Sequence, residues 1–366
     1  MVWIRHLPSR ADTAYVDFRC SAKSLKDVID AARHAVPASP ALAVFGGVQL
    51  EATSDSVTAT GSDGETTITA KTSCQTTTPG VAVLPVKPLS TFLATIDQTT
   101  QLHVTSQDGE VSVKAGKLAP YKFRTTGTRF PQILHPRGEE RPADLSRLAD
   151  ALAVVRHAVA KDHHGVQVVS NSSGLHLRTT DHYRLHSVSI AEASFGEFSG
   201  VIALPVLERI AHHAPTSVVC DERGRAVRFS SESISISARL LQIPFPNVDA
   251  VLQTVCSVKT TVDVPSARSA LARLGAVADG AAVVVTGDSD GLHFDVANAD
   301  IGSGSEVLEG GSEELRFASD RQYLLDALVA HQADTVELGY SGQHAPVILQ
   351  SKSPFAATTI VMPMRV

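Results

Sequence analysis

Val83-Leu84-Pro85-Val86 is answered, about 120 residues further on, by Ala203-Leu204-Pro205-Val206, and each tetrapeptide runs into a helical pattern of apolar spacing. Gly47-Val48-Gln49 recurs in the same order as Gly165-Val166-Gln167, with a weaker third copy at Ala282-Val283-Val284. Each of these opens an alternating strand, a polar hairpin turn and a second strand. The turns are Ser54-Asp55-Ser56, Ser172-Ser173-Gly174 and Ser289-Asp290-Gly291. A third counterpart of the strand-to-helix anchor is Leu315-Arg316-Phe317-Ala318, leading to Tyr323-Leu324-Leu325 and Leu328. Phe130-Pro131-Gln132-Ile133 recurs once, as Phe245-Pro246-Asn247-Val248.

A further amphipathic helix precedes each first strand pair. Leu25, Val28, Ile29 and Ala32 form one apolar stripe, and Leu145, Leu148, Leu152 and Val155 a second. Ala267, Ala270, Leu271 and Leu274 form the third, with Pro265 and Ser266 at its N-terminus. Every unit therefore reads helix, strands, helix, strands. Alternating strands bury one face and each helix has one apolar stripe, so both helices pack on one face of antiparallel sheets. The expected class is α+β, with three repeated modules at residues 15–133, 134–256 and 257–366 after an extension at 1–14.

Composition narrows the function. Hydrophobic content of 43% and charged content of 19% describe a globular protein, and no apolar run is long enough to span a bilayer. The N-terminus lacks the apolar core of a secretory signal. Cys20, Cys74, Cys220 and Cys256 are dispersed, so neither a zinc ribbon nor a disulfide framework is expected, and reduced thiols in cytoplasm are the simplest reading. A net charge of −6 is unlike a protein that grips DNA by neutralising phosphates.

The catalytic motifs are weak. Gly287-Asp288-Ser289-Asp290-Gly291 matches the G-x-S-x-G pattern, and a hydrolase using Ser289 is the remote alternative. A nucleophile elbow needs a strand-to-helix turn, whereas Leu292-His293-Phe294-Asp295-Val296 alternates like a strand, so a hairpin is expected. His182 and His186 fall in a stretch, 180–190, that reads as strand, where i, i+4 spacing does not bring two rings to one metal. His163-His164 and His212-His213 point apart. No phosphate-binding loop is present, and no metal or cofactor is expected.

The C-terminal Val361-Met362-Pro363-Met364-Arg365-Val366 resembles the terminal signature of the bacterial sliding clamp family, the beta subunit of DNA polymerase III. Thr180-Asp181 with Tyr183-Arg184-Leu185 is similar to that family's T-D-x-x-R-L strand, Phe245-Pro246-Asn247 to its linker after the second domain, and Tyr323-Leu324-Leu325-Asp326-Ala327-Leu328 to its last helix. The resemblance covers about residues 15–366 and implies three domains of the DNA clamp fold and a homodimeric ring, with helices lining the hole. It implies a processivity factor for double-stranded DNA, sequence-independent and without catalysis. Its partners would be the catalytic subunit of DNA polymerase III, a clamp loader whose ATPase opens the ring, and other proteins bearing a clamp-binding peptide. A paralogous clamp serving repair or translesion polymerases is the alternative.

The family's peptide pocket, carried over by motif, comprises His163, Thr180, His182, Tyr183, Arg184, Leu185, Pro246, Val251, Tyr323, His344, Pro346, Ile360, Val361, Met362, Pro363 and Met364. Val361 reads equally as core. His163 stands where an apolar residue is usual, His182 for a common Gly, Tyr183 for a common His and His344 for a small apolar residue. Such a pocket is more polar and bulkier than its relatives', and protonation of its histidines near neutral pH would tune binding. Over the six helical stretches basic residues outnumber acidic ones, unlike the chain as a whole, and Lys23, Lys26, Arg147, Arg156 and Arg209 are the expected DNA-facing residues. Ser39 stands where the family often has Arg. At the subunit joint the resemblance places an edge strand holding Tyr121 and Phe123 against Ala276 and Val277, beyond the helix that holds Arg273. Ordinary core is the other reading of both aromatics.

Overall fold

The computed structural model describes residues 15–107, 109–125, 135–162, 164–310 and 312–365. The expected extension at 1–14, the anchor Phe130–Ile133 and His163 lie outside them. The chain forms two compact units, residues 1–140 with 215–239 and residues 141–214 with 240–366.

In the first unit, a five-stranded antiparallel sheet runs in the order 75–78, 17–21, 101–107, 110–115, 121–124. A second sheet runs Ser217–Cys220, Ala226–Ser230, Ile234–Arg239, Thr66–Ser73, Ser56–Ser62, Gly47–Ala52, Gly80–Pro85. Its central seam joins distant parts of the chain, with Ile236 opposite Ile68. Helix α1 (Ala22–Arg33) buries the predicted stripe Leu25, Val28, Ile29 and Ala32 against these strands. The Ser21 hydroxyl caps it by accepting from the Ser24 amide at 3.0 Å, satisfying one of the orphan donors of a helix start. A Cβ on Gly61 would lie 2.1 Å from the Ala32 carbonyl oxygen, so only glycine lets helix and strand meet this closely. Helix α2 (Val86–Ala94) follows Pro85, as the first anchor requires.

The second unit holds an eight-stranded sheet in the order Phe198–Ala203, Gly165–Asn171, Gly174–Thr180, Arg184–Ile190, Ala356–Val361, Val347–Ser351, Thr335–Tyr340, Val258–Asp263. A four-stranded sheet runs Gly302–Glu309, Gly291–Asn298, Ala282–Gly287, Leu315–Asp320. Helices α3 (Leu148–Val155), α4 (Leu204–His213), α5 (Asp249–Leu252), α6 (Val264–Ala278) and α7 (Arg321–Ala330) complete it. Asp263 and Asp320 cap α6 and α7 through the amides of Ser266 and Tyr323. Helix α6 thus starts at Val264, with Pro265 and Ser266 in its first turn as expected.

All six helices expected from apolar spacing form, and the single turn α5 is additional. Two details differ. Helix α3 is short: Leu145 is buried ahead of it, Arg147 flanks it and Lys161 lies beyond it. Helix α6 continues through Gly275, because Leu274 and Ala278 extend the buried stripe, so Ala276 and Val277 sit inside the helix and not after it. Ser289 lies in the turn between strands 282–287 and 291–298, where Asp288 accepts from the amides of Asp290 and Gly291. That is a hairpin, as the alternation requires.

Candidate functional site

Thr180 to Leu185 is not one strand. Strands 174–180 and 184–190 are joined by the tight turn Asp181-His182-Tyr183. The Asp181 carboxylate makes the turn: Oδ1 accepts from the amides of Tyr183 (3.1 Å) and Arg184 (2.8 Å), offering the backbone an alternative to the ladder. The Thr180 hydroxyl donates to the Arg184 carbonyl at 2.7 Å. His182 takes a left-handed conformation, φ 73°, which glycine would adopt without strain.

Arg184 ties this turn to α7 on the sheet face it shares with Val361 and His186. Its Nε and Nη2 donate to Asp181 Oδ2 at 3.0 and 2.9 Å, and Nη1 donates to Asp326 on α7 at 2.5 Å. The guanidinium lies 4.2 Å from the ring centre of Tyr323, and Tyr183, 62% exposed, packs its ring 6.3 Å from the same ring. Burial, then the nearby Asp181, pushes the Tyr323 phenol up from its ordinary pKa.

The C-terminal segment runs beside this turn and borders an apolar groove on the other sheet face. The Met362 amide donates to the Tyr183 carbonyl at 2.9 Å and the Met364 amide to the Ala318 carbonyl at 2.8 Å. These two bonds pin the segment while both Met side chains stay over 40% exposed. Leu185, Ile360 and Ile348 stand opposite one another on three adjacent strands and form an apolar floor. Val248 joins them, and Phe245, Val251, Leu252 and Cys256 pack half-buried against it.

Of the expected residues, Leu185, Val251 and Ile360 share the apolar floor, while Arg184 and Tyr323 meet on the other sheet face, and Tyr183 and the two methionines stand at the turn between them. Pro246 is exposed beside Phe245, and Thr180 and Pro363 are half-buried at the rim. Val361 points the other way, into the core at 0% exposure, because strand side chains alternate. His344 is exposed and Pro346 half-buried in the loop 341–346; neither joins the apolar cluster. Sequence reasoning missed Phe245, Val248, Leu252, Cys256 and Ile348. The apolar ends of the repeated Phe-Pro-x-Val motif were the available signal for the first two.

Behind the groove, on the opposite sheet face, lie two buried histidines. His186 Nδ1 donates to the Val154 carbonyl at 2.9 Å, and the Thr179 hydroxyl donates to that of Val155 at 2.6 Å, so both cap the end of α3. His331 bonds the Ser351 and Thr359 hydroxyls at 2.7 and 3.0 Å. Burial holds both rings neutral, lowering the pKa of His186 to about 3 and that of His331 to about 4.

The expected DNA-facing cations are mostly engaged. Lys23 pairs with Asp27 at 2.5 Å, Lys26 pairs with Asp30, and Arg156 pairs with Glu208 at 2.9 Å. Arg147 lies 3.9 Å from the ring centre of Phe355 and donates to the Pro354 carbonyl. Among the described residues Arg209, half-buried on α4, has no ion pair. Three of these five cations are thus paired with acids of the helices themselves.

Strands 121–124 and 302–309 are each the last strand of their sheet. Strand 121–124 ends the five-stranded sheet, with Tyr121 53% exposed and its ring 4.6 Å from that of Phe92; the Phe123 ring is 5.9 Å from the same ring. Strand 302–309 ends the four-stranded sheet, beside an exposed Ala276 and a half-buried Val277.

Comparison with known proteins matches residues 16–129 to the family "DNA polymerase III beta subunit, N-terminal domain" and residues 251–365 to "DNA polymerase III beta subunit, C-terminal domain". A beta sliding clamp of Synechococcus elongatus is 23% identical over 94% of this chain and 98% of that protein. One from Staphylococcus aureus is 26% identical over 55% of this chain and 56% of that protein. Among solved structures, a sliding clamp from Pseudomonas aeruginosa has TM-score 0.86 and 17% identity, and the DNA polymerase III beta subunit of Thermotoga maritima has 0.85 and 19%. Each covers 96% of this chain and all of the other.

Proposed function

Because the chain belongs to the DNA polymerase III beta subunit family, we propose that it is the sliding clamp that holds a replicative polymerase on duplex DNA. Three clamp modules, at about 15–133, 134–256 and 257–366, form each subunit. Two subunits join head to tail through the edge strands 121–124 and 302–309, pairing Tyr121 and Phe123 with Ala276 and Val277. Closing the ring with two such head-to-tail joints buries edges that would otherwise invite aggregation. The ring works in the cytoplasm and supplies no chemistry of its own.

The likeness of fold over 96% of the chain to sliding clamps is the observation that carries this reading. Charge agrees with it. A closed ring retains DNA by topology and needs no strong phosphate contact, so a net charge of −6 and helix cations already paired with acids are compatible with sliding. The groove between the 248–252 turn, Tyr183 and the Met362–Met364 segment takes a short peptide from the polymerase catalytic subunit, the clamp loader and other partners. Its apolar floor and adaptable methionines suit several occupants. A specialised repair clamp is not favoured, since the relatives bear the replicative subunit's name.

The test is retention on DNA. Loaded by the cognate loader onto nicked circles, the protein stays through gel filtration and leaves when the circle is cut. Equal loss from circles and linear ends refutes the ring.

A further inference from the structure

One wall of the groove is a single helical turn, α5, and its hold on the sheet needs a cause. Four residues do not make a stable helix alone. Val248, Val251 and Leu252 pack toward the floor, while Asp249 and Ala250 face solvent. Asp249 is nevertheless fastened: Arg178 Nη1 donates to its Oδ1 at 2.8 Å. Arg178 rises from strand 174–180 on the same face as Leu185, and its side chain is only 20% exposed against 60% for Asp249. Among the described residues Asp249 is its one acidic partner. The Arg178 Nε is buried without a partner, and so is Oε1 of Gln167, the residue directly opposite in the strand register.

We infer that the Arg178–Asp249 ion pair is a latch that positions the 248–252 turn as the groove wall, making Arg178 a positioning residue for peptide binding. The inference rests on the groove being the partner site. Removing the carboxylate leaves a half-buried guanidinium with one donor already unmet, so the wall loses its tie to the sheet.

The experiment uses the full chain and a fluorescein-labelled apolar pentapeptide, Ser-Leu-Ser-Leu-Phe, with hydrogen exchange read at the Leu252 and Gln253 amides, which bond the Val248 and Asp249 carbonyls. Asp249→Asn should weaken the peptide about fivefold and speed exchange at both amides about fivefold, the scale of one partly exposed ion pair. Exchange in strand 184–190 should stay unchanged. The charge swap Arg178→Asp with Asp249→Arg should restore both readouts, and Asp249→Glu should restore most of each. Unchanged exchange overturns the latch. Faster exchange with unchanged affinity overturns the positioning role. A wild-type chain that binds no peptide refutes the groove reading itself, while its exchange data still decide whether the latch exists.

Discussion

Acid should loosen the second unit well before it reaches carboxylates, through His186 and His331. Both rings are free to titrate near 6.5 once unfolded and are held near 3 and 4 when folded. The folded state therefore binds fewer protons between those values and 6.5, so stability is complete above 6.5 and falls as pH drops below it. At pH 7 the unfolded rings are mostly neutral and the loss is small. At pH 5 it is about 2 kcal/mol each, so the pair lowers stability by close to 4 kcal/mol between the two conditions. The groups around them explain the resistance to protonation. His186 faces His157, Arg184 and His331, all of which oppose a positive charge, and only the Val154 carbonyl favours it. His331 meets neutral hydroxyls of Ser351 and Thr359. The assay is urea unfolding of the wild type and of His186→Asn/His331→Asn at both pH values. Asparagine keeps a donor but does not titrate, so the double variant should lose about 4 kcal/mol less than the wild type on acidification, whatever other groups contribute. An equal pH response in the two proteins would refute the argument.

Changing Tyr121 and Phe123 together to Glu should yield monomers by light scattering, and a persistent dimer would place the joint elsewhere. Met362→Glu with Met364→Glu should abolish peptide binding by at least tenfold while leaving the ring intact on circular DNA, because both side chains already face water. Lys23→Ala and Arg156→Ala should shorten residence on nicked circles less than twofold, since each cation is already paired and retention does not depend on phosphate contacts. A steep loss of residence between about 50 and 200 mM salt would contradict that.

The sequence by itself determined the periodic parts of this protein. Apolar stripes such as Leu25, Val28, Ile29 and Ala32 place helices because a helix repeats every few residues, and Gly165 to Thr180 reads as a hairpin because a strand alternates. The repeat of these patterns carried the architecture, and the terminal Met-Pro-Met-Arg carried the family. Tertiary structure alone decided what depends on residues far apart in the chain. Strand 356–361 pairs with 184–190, and that seam sets Ile360 on the groove floor and Val361 in the core. Asp181 turns a stretch that reads as strand into a tight corner, and the acids that quench Arg156 and Arg178 come from other elements. Charge and apolar contact act through space over a few ångströms, whereas periodicity acts along the chain, so only the second is written where a reader of sequence can see it.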